Sequence, residues 1–322
     1  MDKAVTNSYK GVFAILIMLH HVALTVTNLP VALWGMKYIG FSIVGYFFFV
    51  SGYGVIYSFH KKENYLDSFI KKRMPRILIP YVLIEVVWLI YYLESGIFTL
   101  RQYVYEFFLG NWFVTVIILF YLSFYIFYKN FTEKTAFILI CGIAGGIFLV
   151  AFLLGADTNW YASLIAFPFG IMLYEKNLGQ ERYIKNRLIQ KSIAFVIIYV
   201  GVLGGRMLLQ YMGGIYSSPL LQGILRNGVT LSFLIFMLYL QKLIKLRGRL
   251  FQGVSKIYYE IYLVHMFVLP VLSWRMKMDG IELMFATVII SIIGAILLHC
   301  LSDILLFILE TCLQKSIKGD KS

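Results

Sequence analysis

Charged residues are scarce in this sequence. Aspartate, glutamate, lysine and arginine make up 14% of its 322 residues, whereas a soluble domain carries about a quarter. Hydrophobic residues account for 60% and aromatic residues for 17%, and the mean hydropathy is +0.80. This composition excludes an ordinary soluble globular domain and indicates a protein that crosses a membrane several times.

Cysteine is also rare. Cys141, Cys300 and Cys312 lie in or beside apolar segments, and none of them forms a CxxC pair. The sequence therefore indicates neither a disulfide framework nor a metal site. No small-residue cleavage site follows the first apolar run, which is long enough to remain in the protein as a span.

Long apolar runs, by contrast, are abundant. A helix needs about 20 residues to cross the hydrocarbon core of a bilayer. Ten candidate spans fit, at residues 9–29, 38–59, 77–95, 112–128, 135–154, 159–174, 192–212, 222–240, 252–273 and 281–309. The connections are short, so we expect one all-α transmembrane bundle over residues 1–322 with about ten spans and no soluble domain.

The basic residues separate by membrane side. The termini and the predicted connections on their side carry most of the 29 lysines and arginines. The opposite side carries Lys37, Arg101, Arg275 and Lys277. The positive-inside rule then places both termini in the cytoplasm. The net charge of +13 is therefore mostly a topology signal, and no nucleic-acid partner is expected.

Ionisable side chains inside spans are costly and are functional candidates by default. The predicted spans contain Lys10, His20, His21, Glu85, Arg206, Arg226, Glu260, His265, His299 and Asp303.

The first span allows a geometric test. At about 100° per residue, Lys10 and His21 share one helix face and lie roughly 16 Å apart along the axis. His20 points about 100° away from His21. This alignment favours a functional role for His21, although a lone histidine in a helix is more often a hydrogen-bonded core residue. For His20 we expect a packing or supporting role.

A basic cluster precedes the third span. Arg73 and Arg76 are three residues apart and share a helical face, and Lys71 and Lys72 add to the charge. The spacing alone favours a stop-transfer signal at the inner interface. The alternative is a polyphosphate clamp, because guanidinium forks suit phosphate.

Two other stretches carry polar groups at membrane depth. Gly52 and Gly54 permit a bend or an unwound turn beside the hydroxyls of Ser51 and Tyr53. Glu260 and His265 are five residues apart, which places them on different faces of a helix. Arg206 and Arg226 each need a carboxylate or a ligand, with Glu85, Glu260 and Asp303 as unassigned candidates.

Taken together, these stretches resemble the acyltransferase-3 family of integral membrane acyltransferases. That family has an arginine or lysine eleven positions before a histidine in its first span, as in Lys10 and His21. Its further motifs match Phe48, Phe49, Ser51 and Gly52, then Arg73, Arg76 and Pro80, then Trp112 and Phe113, and finally Ser255 through His265. The matches follow the family order from residue 10 to residue 265.

The resemblance implies a multi-pass plasma-membrane enzyme. Such an enzyme transfers an acyl group, usually acetyl, from cytoplasmic acyl-CoA to a hydroxyl of an extracytoplasmic glycan or lipid-linked sugar. Acetyl-CoA would be the co-substrate, and no metal is expected. The resemblance makes His21 the essential residue and puts Lys10 in the place of the family's arginine. A separate protein would carry out any second transfer step, and a homo-oligomer stays open.

The remaining roles are assigned as hypotheses. Arg73 and Arg76 would hold the phosphates of CoA, with Lys10 holding a phosphate or a pantetheine carbonyl. His21 would remove a proton from the acceptor hydroxyl or carry the acyl group covalently; both routes stay open. Ser51, Tyr53 or Arg226 would polarise the carbonyl oxygen. Supporting or substrate-binding roles are expected for Ser51, Tyr53, Trp112, Arg226, Glu260 and His265.

Two other functions compete with acyl transfer. A flippase or exporter of polysaccharide or lipid-linked intermediates also suits a helical bundle with polar cavity residues. A small-molecule-binding membrane module is the third alternative. The alignment of Lys10 with His21 and the paired arginines favours acyl-CoA chemistry, because a flippase has no evident need for a histidine above a phosphate site.

Overall fold

The computed structural model describes residues 1–27, 30–96, 99–176, 188–212 and 218–319, and all regular elements there are helices. This confirms the all-α prediction. The α-helices are α1 (Lys3–Thr25), α2 (Gly40–Lys61), α3 (Phe69–Ser95), α4 (Leu100–Tyr105), α5 (Trp112–Asn130), α6 (Glu133–Leu153), α7 (Ala166–Glu175), α8 (Leu188–Met212), α9 (Pro219–Leu243), α10 (Arg249–Val254), α11 (Tyr258–Pro270) and α12 (Gly280–Gly319). Short 3-10 helices occupy Val31–Tyr38, Tyr65–Ser68 and Thr158–Tyr161, and π-helical turns occupy Glu106–Gly110 and Val271–Arg275.

The chain forms two compact units. Unit 1 consists of Met1–Tyr9, Ile39–Ser68 and Trp112–Gly248, and unit 2 of Lys10–Tyr38, Phe69–Asn111 and Arg249–Ser322. Helix α1 begins in unit 1 and continues in unit 2 from Lys10 onward. The single transmembrane domain stays a prediction, and each unit has its own internal packing.

Seven helices in the described part of the chain are long and apolar enough to cross a membrane. They are Lys3–Thr25, Gly40–Lys61, Tyr65–Ser95, Trp112–Asn130, Glu133–Leu153, Pro219–Leu243 and Gly280–Cys312. Each overlaps one of the ten predicted spans. The end of the first predicted span at residues 28–29, the basic connection at 177–187 and the C-terminal residues 320–322 lie outside the described residues.

Of the other three predicted spans, two are not continuous helices of spanning length. Residues 159–174 contain the end of the 3-10 helix Thr158–Tyr161 and the short helix α7, whose Phe167 and Ile171 are fully buried, as in a core helix. The predicted span at 192–212 lies within α8, a helix of 25 residues, and stays a prediction. Residues 252–273 are interrupted between α10 and α11, and they end in a π-helical turn after Pro270.

Close backbone packing joins α2 and α7 in unit 1. A methyl group added at Gly52 would overlap the carbonyl oxygen of Phe167, and one at Gly170 would overlap that of Phe49. The expected unwound turn at Gly52 and Gly54 is wrong, because α2 is an uninterrupted helix there. Gly52 serves instead as a contact point that lets two helix backbones approach each other.

The structure predicts that Gly52→Ala destabilises the protein. The added methyl group has no room beside Phe167, so we expect a loss of about 1–3 kcal/mol, seen as a lower thermal midpoint in detergent. Gly54→Ala is the matched control, because nothing lies within 4 Å of its added methyl group. Equal midpoints for the two variants would contradict the close packing.

Small side chains also shape the core of unit 2. Ala14 and Met18 of α1, Ile261 of α11 and Ala295 of α12 form one fully buried cluster. In this cluster the short alanine side chains of α1 and α12 meet Ile261 of α11. This packing fixes the side chains that α1 and α11 present to each other.

Candidate active site

Lys10 and His21 lie on one unbroken helix. Helix α1 runs from Lys3 to Thr25 without interruption, so the helical arithmetic of the sequence applies and the two residues lie about 16 Å apart along one face. Both belong to unit 2.

The end of this face that carries Lys10 lies against α10 and α11. A methyl group at Gly11 would overlap the carbonyl oxygen of Phe251, so the α1 backbone touches the backbone of α10. At this level Nζ of Lys10 lies 5.0 Å from the centroid of the Tyr258 ring, in cation–π geometry. Tyr258 is the first residue of α11.

His21 meets a second histidine farther along α11. The ring centroids of His21 and His265 are 5.1 Å apart, with planes tilted by 49°. Tyr258 and His265 are seven residues apart, which is about two helical turns, so they share one face of α11. Helices α1 and α11 therefore face each other along a track with Lys10 and Tyr258 at one end and the two histidines at the other.

The protonation of His265 follows from its hydrogen bond. Nδ1 lies 2.9 Å from the carbonyl oxygen of Ile261. A carbonyl oxygen only accepts hydrogen bonds, so Nδ1 is the protonated nitrogen and Nε2 of the neutral ring is an acceptor. His265 is fully buried, and its Nε2 has no hydrogen-bond partner among the described residues. The site thus holds a buried proton acceptor on the ring that contacts His21.

His20 has a different environment. Its Nδ1 lies 2.6 Å from the carbonyl oxygen of Met36 in the 3-10 helix Val31–Tyr38. Its ring stands edge-on to that of His21 at 5.0 Å. The separation of the two adjacent histidines agrees with the helical arithmetic, and His20 holds the connection after α1 in place.

The basic cluster forms the start of α3, also in unit 2. Lys71, Lys72, Arg73 and Arg76 lie in its first two turns, with Arg73 partly buried and Arg76 exposed. The exposed cations can meet a phosphate in water.

Comparison with known proteins identifies the family of the chain. A family model described as an acyltransferase domain matches residues 7–302. The chain belongs to the acyltransferase-3 family. No curated protein and no solved structure matched it. The match covers nearly the whole chain, and seven helices among the described residues are long and apolar enough to cross a membrane. The protein is therefore a multi-pass membrane acyltransferase.

In the acyltransferase, His299 lies between Glu260 and Asp303, an arrangement that the sequence indicated only in part. Nδ1 of His299 lies 2.8 Å from the buried carboxylate of Glu260, and Nε2 lies 3.5 Å from Asp303. Glu260 is thus paired with a histidine. The four-residue spacing of His299 and Asp303 was the available signal, because it places both on one face of α12.

Tyr258 is a second residue that the sequence reasoning missed. Its spacing of seven from His265 could have revealed it, by the arithmetic that linked Lys10 to His21.

The other predicted site residues lie in unit 1 of the acyltransferase, at different levels of α2. Ser51 is partly buried, and the hydroxyl of Tyr53 accepts a hydrogen bond from the N-terminal amine at 3.1 Å. Trp112 packs edge-on against Phe48, with ring centroids 6.2 Å apart. The guanidinium of Arg226 lies instead near Phe41 at the other end of α2, about 18 Å along the helix from Tyr53. Arg226 and Tyr53 therefore do not act on one carbonyl group within this unit.

Proposed function

We propose that the protein transfers an acyl group, in the simplest case acetyl, from cytoplasmic acyl-CoA to a hydroxyl of an extracytoplasmic glycan or lipid-linked sugar. The observation that carries the proposal is the facing pair of helix surfaces in unit 2. A lysine lies at one end of that track, and two histidines in ring contact lie at the other.

The donor would enter from the basic end. Arg73 and Arg76 suit the 3′-phosphate and the diphosphate of CoA, because guanidinium groups form forked hydrogen bonds to phosphate oxygens. Lys10 would contribute a point charge where the pantetheine arm begins. This flexible arm is comparable in length to the distance of about 16 Å that separates Lys10 from His21 on α1.

The proton would pass through His21. As the acceptor oxygen attacks the thioester carbon, His21 takes the hydroxyl proton; the C–O bond forms, the C–S bond breaks, and the thiolate takes the proton back. Nε2 of His265 would accept a hydrogen bond from the N–H of His21. This bond leaves the other nitrogen of His21 unprotonated, so that it can accept the proton of the hydroxyl. It also stabilises the imidazolium that forms.

A covalent route uses the same residues. His21 would attack the thioester, release CoA and carry the acyl group to the acceptor hydroxyl. Incubation with labelled acetyl-CoA and no acceptor separates the two routes. A label on His21, found by mass spectrometry, indicates the covalent route, whereas release of thiol only after acceptor is added indicates direct transfer.

The phosphate role of the α3 arginines gives a kinetic prediction. We expect Arg73→Gln with Arg76→Gln to raise the KM for acetyl-CoA about tenfold or more, because charge-assisted hydrogen bonds are lost, while kcat changes little. The increase in KM caused by the two substitutions should be smaller for 3′-dephospho-acetyl-CoA. Arg101→Gln in α4 is the control, since that arginine is predicted on the opposite membrane side. An unchanged KM in the double variant would disprove the clamp.

Gene deletion in the native host tests the function as a whole. We expect O-acyl groups to disappear from surface glycans while the amount of exported glycan is maintained. Loss of export with unchanged acylation per sugar would overturn the proposal in favour of a flippase.

A further inference from the structure

Two arginines of unit 1 lie against the same aromatic ring. Cζ of Arg206, on α8, is 4.9 Å from the centroid of the Phe41 ring, and Cζ of Arg226, on α9, is 5.7 Å from it. Arg206 is only 6% exposed and Arg226 is partly buried. Two permanent positive charges thus lie beside the ring of Phe41, among apolar helices.

Polar side chains lie beside Arg226 and next to it on α9. Arg226 donates a hydrogen bond to the side-chain oxygen of Asn159 at 3.2 Å. The side-chain amide of Asn227 donates to the carbonyl oxygens of Tyr161 and Gly223, and its oxygen accepts from the backbone N–H of Ile165. The stretch from Asn159 to Ile165 is therefore anchored to α9, and it places the Asn159 side chain beside Arg226.

Exposure increases from Arg206 through Arg226 to Asn159. Asn159 is exposed, Arg226 is partly buried and Arg206 is almost fully buried. Asp157 is the neighbouring carboxylate, and it accepts the backbone N–H of Asn159 as the cap of the 3-10 helix Thr158–Tyr161.

The chemistry of the cluster favours phosphate. Two guanidinium groups beside one ring concentrate positive charge, which attracts an anion. Guanidinium groups present forked donors that match phosphate oxygens. The face of Phe41 supports both planar groups without competing for their hydrogen bonds.

We propose that Arg206 and Arg226 bind the phosphate of a phosphorylated acceptor, so that the acyl group goes to an anionic saccharide rather than a neutral one. This inference rests on the proposed function. The charge pattern predicts that the N-terminal ends of α2 and α9 and the C-terminal end of α8 lie on the extracytoplasmic side, and in unit 1 these three ends meet at Phe41. The acceptor phosphate thus has its own site on the side where the acceptor is expected.

Binding measurements in nanodiscs of neutral phosphatidylcholine test the site. Polyprenyl phosphate, neutral polyprenol and soluble glycerol phosphate are the three probes. We expect polyprenyl phosphate to bind to the wild-type protein and polyprenol to bind about tenfold more weakly or not at all. Binding of glycerol phosphate as well would identify a free phosphorylated polymer as a sufficient source, whereas binding of polyprenyl phosphate alone would identify a lipid-linked acceptor. Equal binding of polyprenyl phosphate and polyprenol would overturn the inference.

Variants locate the binding to the two arginines. Arg206→Gln with Arg226→Gln should weaken polyprenyl phosphate binding about tenfold or more. Arg206→Lys with Arg226→Lys keeps the charges and should weaken it less. Arg247→Gln is the matched control, because Arg247 also lies in unit 1 but pairs with Asp2 at the N-terminus. Unchanged binding in the glutamine variant would overturn the inference, and the wild-type comparison of the two lipids decides the matter if that variant does not fold.

The same preparations separate this inference from the proposed function. One outcome is His21-dependent release of thiol from acetyl-CoA together with polyprenyl phosphate binding that is unchanged in the arginine variants. This outcome would refute only the acceptor site at Arg206 and Arg226. Binding of polyprenyl phosphate that depends on the two arginines, without any acyl transfer, would refute the proposed function. The two arginines would then form an anion-binding site of another function.

Discussion

Replacement of His21 by alanine is expected to abolish acyl transfer. The variant removes the ring that contacts His265 on the face of α1 that also carries Lys10. A general base contributes about 10²- to 10⁴-fold to a rate, so we expect kcat to fall by about 10³-fold or more, with little change in the KM for acetyl-CoA. The measurement is transfer of labelled acetyl from acetyl-CoA in proteoliposomes.

The neighbouring histidine provides the matched control. His20→Ala removes a ring of the same size from the same turn of α1, but it breaks a hydrogen bond to the Met36 carbonyl oxygen instead of the contact with His265. We expect this variant to retain most of the activity and to lose some thermal stability. Similar losses of activity in both variants would show that the assignment of His21 is wrong.

Replacement of His265 should have the second largest effect. Asparagine can still donate a hydrogen bond to the Ile261 carbonyl oxygen from a position near Nδ1, but it has no atom near Nε2. We therefore expect His265→Asn to keep the protein folded and to lower kcat roughly a hundredfold. The pH dependence of kcat should change as well, because His21 loses the group that fixes its protonation.

Glutamine separates this positioning role from packing. Its side-chain oxygen reaches near the position of Nε2, so His265→Gln should restore part of the activity and move the pH profile back toward that of the wild type. A purely structural residue would show no such rescue. If His265→Asn were as active as the wild-type protein, Nε2 would have no part in the reaction.

Much of the candidate site could be predicted because it lies on one continuous helix. Within α1 the turn angle alone separates His21 from His20, and the structure gives the two rings different neighbours. The same rule predicted that Glu260 and His265 would not pair, and Glu260 indeed bonds to His299. Local periodicity is reliable wherever the helix is regular.

Features that depend on two distant segments were not predictable in this way. Gly52 looked like a place to unwind α2, because the sequence does not show that Phe167 packs against it. The apolar runs at 159–174 and 252–273 resembled spans, because hydropathy does not distinguish a membrane span from a short buried helix or an interrupted one. The meeting of Arg206 and Arg226 at Phe41 requires three helix ends to come together, which no local pattern specifies.

The hydrogen bond from His265 to Ile261 ties the direction of the His265 Nε2 atom to the backbone of α11. Helix α11 is short, and the chain departs from α-helical geometry at residues 255–257 before it and at Val271–Arg275 after it. One residue of winding corresponds to about 100° of rotation. A change of register by one residue at either boundary would therefore turn Nε2 away from His21 without altering any side chain of the reaction.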